Sequence, residues 1–135
     1  MKYINIKNKV RHAKASVIRQ KILQHFNELH KLGKVLLTRK PVVKGTVYEF
    51  KNRCGKKNCR CRRGELHTRM ALSYSEHGRT KLRYLKADEV RRYQWLTGNY
   101  RVFRLARAKL VKLVKEILSL ANDFEEVMKH EKSTE

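Results

Sequence analysis

Residues 53–67 read R-C-G-K-K-N-C-R-C-R-R-G-E-L-H and contain all three cysteines of the chain. The cysteines and the histidine that follows them have the spacing C-x4-C-x-C-x5-H, formed by Cys54, Cys59, Cys61 and His67. Three thiolates and one imidazole are a standard tetrahedral ligand set for structural zinc. The stretch therefore predicts one Zn2+ per chain, held by these four residues.

Other interpretations of the same cysteines stay open. A cluster of reactive or half-buried thiols without metal is one alternative, and His77 is a reserve fourth ligand if a hairpin folds it back. A disulfide framework is disfavoured, because three cysteines cannot all pair and residues 1–11 do not resemble a secretory signal. We therefore expect a cytoplasmic protein associated with the nucleoid or with ribonucleoprotein, in a compartment where thiols stay reduced.

The charge of the chain is strongly positive. Its 135 residues include 34 Lys and Arg against 12 Asp and Glu, which gives a net charge of +22 and a pI near 10.4. Such self-repulsion is usually relieved by a polyanion, and nucleic acid is the usual one. An anionic membrane surface is a weaker alternative, because the cations are not confined to one amphipathic helix face. No run approaches the roughly 20 apolar residues that span a bilayer. We expect DNA or RNA as partner and no membrane.

The candidate phosphate-binding side chains form two groups. The first surrounds the cysteines and is termed the loop cations: Lys51, Arg53, Lys56, Lys57, Arg60, Arg62 and Arg63. The second lies in the C-terminal helical region, opposite its apolar positions, and is termed the basic stripe: Arg101, Arg104, Lys112 and Lys115. A merely solvated helix face is the alternative for the stripe, although no acid lies between residues 93 and 115. Tyr48, Tyr74 and Tyr84 are candidates for stacking on bases.

The hydrophobic pattern predicts an α+β fold in one zinc-stabilised domain over residues 13–130. Residues 1–12 are expected to form a flexible basic arm, with a plain disordered terminus as the alternative, and residues 131–135 a tail. Helical spacing of apolar residues begins near Ala13 and continues to Leu32, which predicts an N-terminal helix.

Residues 45–86 are expected to hold a small three-stranded antiparallel sheet and the cysteine loop. Alternation of apolar and polar residues predicts strands within residues 45–51, 70–74 and 80–85. A hairpin over residues 76–79 would join the last two strands. Zinc would then close the open end of a sheet too small to hold itself together.

Residues 87–130 are expected to be helical, with a kink or break at Thr97-Gly98-Asn99. The last part carries a heptad stripe made of Phe103, Ala106, Leu110, Leu113, Val114, Ile117, Leu120, Ala121, Phe124, Val127 and Met128. A stripe this long needs a partner. The two candidates are the N-terminal helix and the same helix of a second chain, and we favour antiparallel self-association because basic and acidic ends would then meet.

The motifs of the core resemble a family of small uncharacterised prokaryotic proteins associated with mobile genetic elements. The resemblance is carried by Cys-Gly-Lys at residues 54–56, Cys-x-Cys at residues 59–61 and Gly-Glu-Leu-His at residues 64–67. A hairpin and a basic C-terminal helix follow in both, and the similarity covers roughly residues 45–127. Where the family often has Gly-Pro and an aromatic after the histidine, this chain has Thr-Arg-Met at residues 68–70. The resemblance implies that the cysteines and the histidine act as a unit, and it implies no activity.

Three classes of function follow. The first is a zinc-stabilised protein that binds the phosphate backbone of nucleic acid with little sequence specificity. The second is an accessory or assembly subunit of a mobile-element nucleoprotein complex, which dimerises or docks on a protein partner through residues 103–128. The third, an enzyme, is disfavoured because Glu49, Glu65 and Glu76 are the only acids near the sheet, too few for a metal-dependent nuclease. A Cys61–His67 nucleophile pair lacks an orienting third group, so we expect no catalytic residues.

Overall fold

The computed structural model describes residues 2–129, with side chains from residue 6 onward. Its elements are helix α1 (Lys2–Leu36), strand β1 (Thr46–Asn52), strand β2 (His67–Glu76), strand β3 (Arg79–Tyr84) and helix α2 (Ala87–Met128). The residues divide into two compact units: the sheet unit, Arg39–Arg104, and the helical unit, formed by residues up to Thr38 and from Leu105 onward. The predicted α+β fold is confirmed, and the predicted tail lies outside the described residues.

The three strands form one antiparallel sheet in the order β1-β2-β3. At the hairpin between β2 and β3, Glu76 lies opposite Arg79, and both residues of the turn, His77 (φ 51°) and Gly78 (φ 75°), have positive φ. Two-residue turns of this hand match the right-handed twist of the flanking strands. The hairpin predicted over residues 76–79 is therefore confirmed, and it places His77 at the end of β2 remote from His67.

The sheet unit has a small apolar core in which Leu72 and Leu96 are buried. The segment before β1 packs closely on this core, since a Cβ on Gly45 would lie 2.8 Å from the carbonyl oxygen of Ser73. The backbone N–H of Val43 donates a hydrogen bond to the carbonyl of Leu96 at 3.1 Å. These contacts attach the entry to β1 to the first part of α2.

Helix α1 begins at Lys2 and includes residues 2–12, which the sequence placed in a basic arm outside the helix. The sequence is compatible with this extension, because apolar residues recur at the helical steps of four, three and four at Ile6, Val10, Ala13 and Val17. Lysines between these apolar residues make the helical spacing harder to recognise in the sequence. No helix in the described part of the chain is apolar enough over a sufficient length to cross a membrane.

Helix α2 is continuous through Thr97, Gly98 and Asn99, where the sequence predicted a kink or break. The Thr97 hydroxyl donates back to the carbonyl of Tyr93 at 2.8 Å. The Asn99 side-chain amide donates to the carbonyl of Pro41 at 3.0 Å. Because both polar side chains find acceptors while the helix continues, neither is needed to cap a new helix.

The helical unit pairs the two helices through apolar side chains. Leu32, Ala106 and Leu113 form its buried cluster, and Leu36 and Leu110 pack against them. The imidazole Nε2 of His25 also lies 2.8 Å from a carboxylate oxygen of Glu116. Part of the predicted heptad stripe is thus covered by α1, which was one of its two predicted partners, and self-association stays a prediction.

Candidate metal centre

The four predicted metal ligands lie at the ends and in the middle of the loop between β1 and β2. Cys54 follows the end of β1 by two residues, and His67 is the first residue of β2. Cys59 has extended backbone and precedes a short 3-10 helix, Arg60–Arg63, that contains Cys61. Gly64 ends this turn at φ 108°, a left-handed conformation that glycine adopts without strain. We term residues 53–66 the metal loop.

The structure brings all four side chains together. The Sγ atoms of Cys54 and Cys61 are 3.5 Å apart, and the Sγ of Cys59 lies 2.9 Å from Nε2 of His67. All four candidate ligand atoms lie within 4.8 Å of one another. The three cysteines are free thiols. We term this group the Cys3His cluster.

These distances fit a tetrahedral metal ion. Zn–S bonds of about 2.3 Å and Zn–N bonds of about 2.0 Å place tetrahedral ligand atoms roughly 3.5–3.8 Å apart. The Cys54–Cys61 sulfurs are within about 0.3 Å of the separation for two thiolates, and the Cys59–His67 pair needs to open by about 0.6 Å. The cluster could therefore hold one metal ion after a small side-chain adjustment.

The burial of the ligands is graded across the cluster. Cys61 is fully buried, Cys54 and Cys59 are half-buried, and His67 is exposed. The backbone N–H of Cys54 also donates to the Sγ of Cys61 at 3.3 Å, and such bonds orient metal-binding sulfurs. Protein side chains could supply all four ligands of a metal ion, as they do in closed structural zinc sites.

Asn52 is a neighbour of the cluster that the sequence analysis did not single out. It lies directly opposite His67 in the β1–β2 register. Its Oδ1 atom is buried without a hydrogen-bond partner among the described residues. Ligating histidines usually donate their second ring N–H to such an oxygen. The only signal in the sequence is the position of Asn52 two residues before the first cysteine.

His77, the reserve ligand, is excluded by the fold. It follows β2 at the hairpin turn, whereas His67 begins β2, a strand of 10 residues. At about 3.3 Å per residue, the strand separates these two histidines by about 30 Å. Of the two histidines, only His67 lies beside the cysteines.

The predicted nucleic-acid-binding cations are all at the surface. All seven loop cations and all four residues of the basic stripe are exposed. None of them forms an ion pair with an acid of the described chain. Of the predicted stacking residues, Tyr48 and Tyr84 share one face of the sheet, while Tyr74 lies on the other. Phe50 and Arg69, which the sequence analysis did not select, lie with Tyr48 and Tyr84.

Comparison with known proteins assigns the chain to a family without assigning a function. Residues 26–94 match the family described as "Domain of unknown function (DUF6788)", and the chain belongs to this family. The matched region includes the whole Cys3His cluster and the three strands. No curated protein and no solved structure matches the chain significantly.

Proposed function

We propose that this member of the DUF6788 family is a zinc-stabilised protein that binds the phosphate backbone of nucleic acid with little sequence specificity. The observation that carries the proposal is the metal loop. Its two ends meet at the Cys3His cluster, while the loop cations around it are exposed and have no acidic partner in the described chain. A rigid loop that presents unpaired cations matches the regular charge of a phosphate backbone.

The ligand chemistry favours zinc as the metal. Thiolates and imidazole select zinc or other soft and borderline ions, whereas calcium and magnesium require oxygen ligands. The cluster offers three sulfurs and one nitrogen. Zinc would tie Cys59 and Cys61, in the middle of the metal loop, to Cys54 and His67 at its base. It would so hold the loop cations in one arrangement.

The role is binding rather than catalysis. Phosphate contacts position a protein on nucleic acid but carry no sequence information, so a surface made of lysine and arginine predicts sequence-tolerant binding. Glu76 is engaged by Lys81 in an ion pair, and the Cys3His cluster gathers no carboxylate in the described chain. These features support a binding module over a metal-dependent nuclease.

Fluorescence anisotropy with labelled oligonucleotides at several salt concentrations tests the proposal. In the loop variant, five cations become glutamine: Lys56, Lys57, Arg60, Arg62 and Arg63. The matched control loses the same charge from exposed positions of α1: Lys14, Arg19, Lys21, Lys31 and Lys34. Each phosphate contact removed should lower the salt dependence of log K by about 0.7–0.9.

We expect the loop variant to lose affinity on all sequences alike and the control to lose much less. A loss confined to one sequence would indicate base readout instead of backbone binding. Equal losses in both variants would mean that only net charge matters, and an unchanged loop variant would move the binding surface elsewhere.

A second candidate function, an assembly subunit of a nucleoprotein complex, rests on the apolar surface of the helical unit. Val114 and Leu118 lie one helical turn apart on α2 and stay 41% and 59% exposed although α1 covers the neighbouring side chains. Leaving such surface in water forgoes about 25 cal/mol per Å2. A second copy or a protein partner on this face would recover that energy. The context of a mobile genetic element stays a prediction.

Sedimentation at low micromolar concentration tests the second candidate. Replacing Val114 and Leu118 by lysine should convert a dimer to a monomer while the buried cluster around Leu113 stays intact. Leu105→Lys is the matched control, because Leu105 is 67% exposed and projects from a different side of α2. If the wild-type protein is monomeric at these concentrations, the predicted self-association is wrong.

A further inference from the structure

The two faces of the sheet differ in what they carry. Directly opposed residues of antiparallel strands share a face, so the pairs Tyr48↔Ala71 and Ala71↔Tyr84 align on one face. The pair Leu72↔Arg83 lies on the other face. Arg83 donates to the Tyr93 hydroxyl at 2.6 Å and to a Glu89 oxygen at 2.8 Å, both on α2. The hydrogen bonds from Arg83 to α2 therefore involve the second face of the sheet and not the first.

The first face carries Tyr48, Phe50, Tyr84 and Arg69, and we term this group the aromatic face; Leu82 lies on the same side of the sheet. The Tyr48 and Phe50 rings meet edge to face with centroids 6.3 Å apart, and the Phe50 and Tyr84 rings do so at 5.9 Å. The Arg69 guanidinium lies 5.1 Å above the Tyr84 ring. Within the described chain, the ring contacts of this group are confined to its own members.

The aromatic face stays at the surface even though its rings form a cluster. Tyr84 is 44% exposed, and Arg69 is exposed. The hydroxyls of Tyr48 and Tyr84 have no hydrogen-bond partner among the described residues. Tyr48 and Phe50 are half-buried. A partly exposed aromatic cluster beside a cation is the composition of a base-stacking platform.

The aromatic face adjoins both a cleft and the metal loop. The cleft has a volume of about 390 Å3 and is lined by Arg69, Tyr84, Lys86 and Val90 among others. In the other direction, the Phe50↔Arg69 pair lies two residues from the Asn52↔His67 pair. Two strand residues span about 7 Å. A chain lying on the aromatic face would therefore pass directly to the loop cations.

We propose that the aromatic face stacks unpaired bases, so that the nucleic acid bound by this protein is single-stranded. The inference rests on the proposed function, which leaves single and double strands undistinguished. In a duplex the base faces are stacked on one another and are not available to protein rings. In a single strand they are free, and stacking on aromatic side chains tolerates every base because each has a π-face. The loop cations would then hold the backbone of the same strand.

Binding of one single-stranded oligonucleotide and of its duplex, measured by anisotropy at one salt concentration, tests the inference. Tyr84→Leu should weaken single-strand binding by about 5- to 150-fold and leave duplex binding unchanged, because each stacked base contributes about that much. Tyr84→Phe keeps the ring and should bind as the wild type does. Tyr74→Leu, on the other face of the sheet, is the matched control and should also bind normally. Each variant must unfold at the same temperature as the wild type and carry the same amount of metal.

The possible failures are distinguishable. A wild-type protein that binds both oligonucleotides with strong salt dependence, and whose Tyr84→Leu variant binds them equally well, overturns the platform but keeps the proposed function. A wild-type protein that binds neither overturns both. If Tyr84→Leu instead abolishes a dimer without changing oligonucleotide binding, the aromatic face is an interface between chains and the inference is wrong.

Discussion

In the helical unit, leucine and alanine side chains of two helices are buried against each other, whereas in the sheet unit the largest fully buried side chain of the described residues is that of Cys61. The sheet unit has three strands and few buried apolar residues, Ala71, Leu72 and Leu96 among them. Sheets of this size are marginal without packing partners or a staple. The comparison shows that the helical unit is held by apolar packing between two helices, while the sheet unit combines a small apolar core with the Cys3His cluster.

The first prediction has the largest expected effect. Removal of one metal ligand should destabilise the sheet unit and leave the helical unit folded. Cys61→Ser should abolish the contribution of the metal, which in small zinc modules is about 10–16 kcal/mol of apparent binding free energy. We expect amide hydrogen exchange to lose protection throughout β1, β2 and β3 while α1 keeps its protection. If both units lose protection together, they fold as one cooperative body and the comparison fails.

The second prediction concerns the fourth ligand. His67→Ala should lower zinc affinity by more than the roughly 10- to 100-fold seen when an outer partner of a ligand is removed, because it deletes the ligand itself. His77→Ala is the matched control and should bind zinc normally, since the length of β2 separates it from the cysteines. Competition with a chromophoric chelator measures both affinities. Normal zinc binding by His67→Ala would contradict the assigned ligand set.

The third prediction concerns the apolar packing of the helical unit, which should be independent of the metal. Leu113→Ala should destabilise that unit by about 2 kcal/mol, the lower end of the range for buried leucines, because its cluster is only a few residues deep. Zinc affinity, measured as above, should not change. A change in metal affinity would mean that the two units are energetically coupled.

Much of this architecture could be predicted because it depends on local spacing. The four ligands lie within fourteen residues, and the strands follow from alternation, so both the cluster and the sheet were predictable. The continuity of α2 was not, because the acceptor that satisfies Asn99 is Pro41, which is 58 residues away in sequence. The aromatic face was half predictable: alternation places Tyr48 with Phe50, but only the cross-strand register adds Arg69 and excludes Tyr74.

The smallest predicted effect is a pH dependence confined to the helical unit. His25 has acceptors at both ring nitrogens, the carbonyl of Lys21 and the carboxylate of Glu116, each at 2.8 Å. Only the protonated imidazole donates to both, so these bonds raise the pKa of His25 above its ordinary value of 6.5. Because the folded pKa is the higher one, the added stability is present below pH 6.5 and is lost as the pH rises through the folded pKa.

Thermal unfolding of the helical unit across this pH range measures the effect. Glu116→Gln removes the charged acceptor and should flatten the pH profile, which separates His25 from the other histidines. NMR titration of the imidazole gives the pKa directly. A His25 pKa below its ordinary value would contradict this prediction.

The central claim is that metal held by the Cys3His cluster arranges the loop cations for nucleic acid. The most direct test measures zinc content and single-stranded oligonucleotide affinity on one sample before chelation, after chelation and after zinc is returned. We predict one zinc per chain, a loss of affinity larger than about tenfold on chelation, equivalent to more than about 1.4 kcal/mol, and recovery with zinc but not with magnesium. Protein that carries no stoichiometric metal, or that binds the oligonucleotide equally well after complete metal removal, would contradict the account.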